Sequence, residues 1–190
     1  MSKAALVLIA LAAMFQMMVS GCGDSVVTVN VDVLSFLDST AVKQTYGDDP
    51  VIPPGPIPVV IDSEPQRVNL SEGLADVTDI QSVSLRLSSE FVNETGTADV
   101  QFSVFISDTL TNPYSTEPYV EENLHLEPAY TDTIHVDILG DEALGELLTG
   151  QAVDIGLRLR FDSSRSSENV RGTETLVRFI ATVVARRHIP

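Results

Sequence analysis

The chain has a single cysteine, no tryptophan and only two lysines among its 190 residues. One thiol excludes an intramolecular disulfide framework and any cysteine-based zinc site, which needs partners at fixed spacing. Bases are scarce: 11 Lys plus Arg stand against 27 Asp plus Glu, a formal charge of -16. Such a surface repels a phosphate backbone, so electrostatically driven nucleic-acid binding is excluded. Glycine-rich phosphate loops and a Gly-x-Ser-x-Gly elbow are missing, and no motif asks for a cofactor. What is present is apolar: 44% of the residues are hydrophobic, with much Val, Ile and Leu, enough for the core of one domain and too many for a disordered chain.

The first apolar feature is a leader. Met1 to Lys3 carry one positive charge, and residues 4–19 form an apolar run broken only by Gln16. That run is short of the ~20 residues that cross a bilayer core, and small residues follow it, as in a cleaved signal. Val19-Ser20-Gly21-Cys22 resembles the lipobox of bacterial lipoproteins: an aliphatic residue, two small residues and a cysteine. The resemblance implies cleavage between Gly21 and Cys22, a diacylglycerol on the Cys22 sulfur and an acylated new amino group. Residues 1–21 are then the signal peptide and 22–25 a lipidated tether. Each buried methylene contributes about 0.8 kcal/mol, so two or three chains hold a protein where one would not. The resemblance also implies sorting: enterobacterial lipoproteins with Asp directly after the cysteine tend to stay in the inner membrane, and Gly23 in that place favours the outer membrane. Loss of Lys3 with the leader leaves ten bases against 27 acids. Anionic headgroups repel that body within a Debye length of about 8 Å, so the lipid is the expected membrane attachment.

Everything after Cys22 alternates with period two, the signature of half-buried strands. Val27, Val29, Val31 and Val33 share one face of a first strand. Residues 48–58 hold Pro50, Pro53, Pro54, Pro56 and Pro58 and read as a stiff connector or edge segment. Val83, Leu85, Leu87 and Phe91 alternate before the turn 93–97, and Ala98, Val100, Phe102, Val104 and Ile106 alternate after it, which predicts a hairpin with Gly96 at positive φ. Asn93 and Asn69 open glycosylation sequons that a bacterial leader makes irrelevant; an Asn at a turn has a backbone reason to be there. Further strands are expected over 120–126, 133–139, 153–161 and 177–185. Residues 141–149 break the pattern, with early acids, Leu144, Leu147 and Leu148 on one stripe and Gly150 as the stop, and predict one short helix.

Short antiparallel strands with one buried face need a second sheet, so the expected fold is all-β: an antiparallel, immunoglobulin-like β-sandwich of seven to nine strands spanning 26–188. The order of elements over roughly residues 80–162 is similar to the sandwich of type-2 late embryogenesis abundant proteins, some of which are bacterial lipoproteins. The turn reads Asn93-Glu94-Thr95 where that family has Asn-Pro-Asn.

Three constellations bear on chemistry. If 120–126 and 133–139 form a hairpin about Tyr130, His125 faces His135 on the solvent side with Glu127 and Asp137 beside them, a candidate zinc, copper or nickel site. A crossing between sheets over the same passage separates the two rings. Asp48, Asp49, Asp76, Asp79, Asp141 and Glu142 lie in or near loops, yet no spacing resembles a calcium loop, and scattered acids serve solubility. Arg86, Arg158, Arg160 and Arg178 sit on outward faces, either pairing with acids such as Glu90, Asp154 and Glu174 or forming a patch for a carboxylate or phosphate. The functional expectation is a lipid-anchored, non-catalytic binding or structural module of the cell envelope with another envelope protein as partner. The alternative is an apolar-ligand carrier with a cavity lined by Phe91, Phe102 and Phe161, and an enzyme built on His125 or His135 comes third.

Overall fold

A computed structural model describes residues 25–69, 79–108, 112–149 and 152–187. Cys22, Gly21, Gly150 and His188 lie outside the described residues, as does Asp76. Among the described residues, ten strands form two sheets, and every ladder is antiparallel. The first sheet holds β1 (Ser25–Asp32), β2 (Lys43–Tyr46), β5 (Asp79–Thr95), β8 (Tyr130–Asp141) and β10 (Arg171–Arg187), in the order β1-β10-β5-β8 with β2 also beside β10. The second holds β3 (Val59–Asp62), β4 (Gln66–Asn69), β6 (Ala98–Asp108), β7 (Val120–Leu126) and β9 (Ala152–Asp162), in the order β3-β9-β6-β7 with β4 also beside β9. The β-sandwich is thus as expected. Its count exceeds nine because three four-residue strands, β2, β3 and β4, are too short to show alternation. Ser25 already belongs to β1, so the sandwich starts one residue earlier than expected.

Two long strands organise the sheets, and each has one edge shared by a pair of short ones. Along β10, β1 pairs with 180–187 and β2 with 172–175. A 3-10 turn at Val33–Phe36 and the short helix α1 (Ser39–Val42), capped by Asp38, join them. Along β9, β3 pairs with 158–161 and β4 with 152–155. The proline-rich connector carries the chain from the first sheet to the second. It is pinned rather than merely spacing: Ile52 is fully buried and bridges Val170, and the Gly55 amide donates to the Ser163 carbonyl at 3.3 Å.

The predicted hairpin over 83–106 is corrected. β5 pairs with β10 and β8, whereas β6 pairs with β7 and β9, so the turn at 93–97 is an arch that crosses between sheets. The passage from β7 to β8 is a second arch. Alternation tells which face of a strand is buried and is silent about its neighbour; two strands that face each other across a core carry the same pattern as two that pair. Gly96 has φ 71°, and a Cβ there would meet the Asn169 carbonyl at 2.8 Å, so the first arch needs glycine on both counts.

Packing follows the alternation. Phe91 and Phe102 meet edge to face at 6.1 Å across the sheets, and Tyr46 lies 4.9 Å from Phe161. Tyr46 fits because its neighbour is Gly172, where a Cβ would come within 2.4 Å of the phenol oxygen. The helix α2 (Glu142–Leu148) forms as predicted: Asp141 caps it by accepting from the Leu144 amide at 2.9 Å, and Leu144 and Leu148 are buried. It closes the interior at one end. The strand over 177–185 is shifted from expectation. A bulge between Leu176 and Arg178 turns Leu176 and Phe179 inward and leaves Val177 half exposed.

Candidate functional site

The sequence-predicted metal residues are separated. His125 lies on β7 of the second sheet opposite Asp99, and His135 lies on β8 of the first opposite Ser88, because the second arch parts their strands. The His125 Nδ1 is 2.6 Å from Asp99 Oδ1, and the other Asp99 oxygen accepts from Arg165. Those two contacts, His125 first, hold the Asp99 carboxyl below the usual range. His135 Nδ1 is 2.9 Å from Ser88 Oγ. Asp137 pairs with Arg86 at 3.3 Å, and Glu127 enters only through its carbonyl, which accepts from Asn93. Among the described residues no group of three or more metal-ligating side chains converges.

The four arginines also fail to converge. Arg86 and Arg178 are on the outer face of the first sheet, Arg158 and Arg160 on that of the second, with two sheets about 10 Å apart between them. Arg158 forms a fork on Asp62, at 2.6 and 2.8 Å, and its guanidinium lies 5.1 Å from the Phe105 ring centre and 5.0 Å from that of Tyr114. The Tyr114 hydroxyl reaches the Ser63 carbonyl at 2.6 Å. This is a structural clasp that folds the turn Pro113–Ser115 onto the second sheet. Asp154 pairs with Arg67 instead of the arginines expected, and among the described residues Glu174 pairs with none.

Glu174 is the residue that sequence reasoning missed. It is fully buried on β10, between Gln44 of β2 and Phe91 of β5 in the ladder. Ser89 Oγ contacts its Oε1, while among the described residues its Oε2, like the Nε2 of its ladder neighbour Gln44, lacks a hydrogen-bond partner. Burial pushes the carboxyl up to about 7, opposed by the Ser89 contact. A further buried knot lies beside it. Asn93 Nδ2 donates to the Gly96 and Glu127 carbonyls at 2.8 and 2.9 Å, and Oδ1 accepts from Tyr46 at 3.3 Å, so one side chain ties both arches to β2. These groups have no surface from which to meet a substrate.

Among the described residues, a concavity reaches the surface. Pairing of β6 with β7 ends at Val104 and Val120, while β6 runs on to Asp108 and β8 to Asp141. Beyond that point the sheet edges part, and an open groove of about 770 Å3 lies between them under α2. Ile106, Tyr119, Ile138 and Leu147 form its floor, and Asp108, Glu117 and Asp141 are among its lining. Burial, and next a hydrogen bond to Asp141, raise the Tyr119 phenol. The Leu144 amide and then Tyr119 lower the Asp141 carboxyl.

No family model matches this chain, and no curated protein does. Among solved structures it is similar to that of the infectious bursal disease virus Gx strain, with a TM-score of 0.40 and 12% identity over 88% of this chain and 35% of that one. The VP2 subviral particle of the same virus gives 0.37 and 12%, over 86% and 37%. The tobacco streak virus coat protein dimer gives 0.27 and 14%, over 70% and 88%. The chain spans about a third of the length of the first two.

Proposed function

We propose that the chain is a bacterial envelope lipoprotein, held to the outer membrane by acyl chains on Cys22, whose sandwich is a non-catalytic binding module for another envelope protein. The observation that carries this is Val19-Ser20-Gly21-Cys22, with the sole thiol at the end of an apolar leader. Geometry adds an orientation. β1 begins at Ser25, so Gly23 and Asp24 alone separate the anchor from the fold, a reach of about 10 Å at most. The end of the sandwich that carries Ser25, Arg186 and α2 then lies near the headgroups, and the arches and the proline-rich connector point away. Among the described residues, no helix is long and apolar enough to cross a membrane.

A filled interior supports a binding module over an apolar-ligand carrier. Phe91, Phe102 and Phe161 are fully buried and packed, and a void of about 20 Å3 between the sheets beneath α2 has room on the order of one water molecule. Fractionation of Cys22→Ser cells tests the anchor: the native chain is expected in the membrane fraction and the variant outside it or retained as unprocessed precursor. Membrane recovery of a processed Cys22→Ser chain would overturn the reading.

A further inference from the structure

Glu174 has no exposed surface, and one of its carboxyl oxygens has no hydrogen-bond partner among the described residues. A charged carboxylate there would have the Ser89 hydroxyl alone in place of its hydration, so the native packing holds the acid neutral. Among the described residues no cation offsets its charge. From β2 the titratable group on its side is the Tyr46 phenol, which burial, then Glu94 and Glu174, raise. β5 presents Ser89 and Phe91, and the second sheet brings Phe102 against Phe91 and Phe161 against Tyr46. Burial pushes the carboxyl up to about 7 from the ordinary 4.5, so its proton leaves near neutrality.

When that proton leaves, water must reach the charge, and the ladder offers one easy way in. Gln44 lies directly across from Glu174 on β2, an edge strand whose ladder among the described residues is with β10 alone. Lys43 and Thr45 on either side of it are exposed, and the Gln44 Nε2 has no hydrogen-bond partner among the described residues. Lifting these three residues therefore unpacks little apolar surface. Moving β5 instead would unseat the fully buried Phe91 from Phe102. Both ends of the segment are pinned: Ala41 is buried in α1, and Tyr46 packs on Phe161 and bonds to Asn93.

We propose that loss of the Glu174 proton makes Lys43, Gln44 and Thr45 bow away from β10 between those two pins, so that this edge of the sandwich is closed in acid and opens to water as the pH rises past neutrality. The three residues are then a pH-gated flap over a buried acid. The device depends on neither the anchor nor the partner.

The second sheet supplies a control. β3 is likewise a four-residue strand on one edge of a long one, and its ladder with β9 holds no buried acid. Amide exchange of the full chain is followed by NMR at pH 5 and pH 8 and corrected for intrinsic exchange. The β2 amides that bond β10 are expected to lose about tenfold or more of their protection at the higher pH, while the β3 amides that bond β9 change by less than about threefold. Glu174→Gln has no proton to lose and should hold β2 protection level across that range. Ser89→Ala removes the contact that favours the charged form and should move the midpoint of opening to higher pH. Protection of β2 that does not fall with pH, an equal loss in β3, a pH response that survives Glu174→Gln, or a midpoint that stays or falls in Ser89→Ala would overturn the proposal.

Discussion

The two ends of this sandwich are built by different rules. Beneath α2, near Ser25, the described interior is lined by apolar side chains: Leu85, Leu144, Leu148, Ile155, Phe179 and Val183 meet there. At the opposite end the sheets are joined by two arches and a proline-rich crossing, and the interior holds Tyr46, Ser89, Asn93 and Glu174, all buried. The first end is held by area removed from water, which is indifferent to pH and tolerant of shape. The second is held by specific bonds, which fix one arrangement of the arches and fail if one partner changes. The groove lies at the first end.

This contrast can be broken in four ways. Phe179→Ala should cost the most, about 3 to 5 kcal/mol by chemical denaturation, because it opens a cavity in the apolar end; the loss should be the same at pH 5 and pH 8. The Glu174 carboxyl comes next. Its folded value of about 7 lies above the ordinary 4.5. Its contribution is therefore complete below pH 4.5 and is lost as pH rises through 7, on the order of 3 kcal/mol in all. Glu174→Gln should remove that decline, giving a chain whose stability no longer falls between pH 5 and pH 8; an unchanged decline would contradict the role of this carboxyl. Asn93→Ala should cost about 2 kcal/mol and loosen both arches, read as faster amide exchange at the turns 93–97 and 127–130 with little change around α2. Arg158→Lys is the smallest, under about 1 kcal/mol, since the clasp at Asp62 is partly exposed and a lysine keeps one of its bonds.

The apolar end was legible in the sequence and the bonded end was not. Val83, Leu85, Leu87 and the stripe Leu144, Leu148 are inward because period-two and helical spacing say so, and the structure agrees. Glu174 was hidden by the bulge after Leu176. Counting back by twos from Phe179 puts Val177 and Thr175 inside and Glu174 outside, and one extra residue inverts that parity. His125 and His135 were set face to face by treating the passage between β7 and β8 as a hairpin, a choice that alternation leaves open. Asn93 was given a backbone reason at its turn, and the structure supplies it, with Tyr46 and the second arch added from 47 and 34 residues away. The groove needed both sheets, because its walls come from β6, β8 and α2 and no local pattern announces a gap between strand edges.

The most direct test of the account is the intact mass of the protein isolated from its own membranes, with sequencing of the N-terminal peptide. The account predicts a chain that starts at Cys22, carrying a diacylglyceryl thioether and acylated at its amino group. An unmodified thiol at that position, with residues 1–21 still attached, would contradict it.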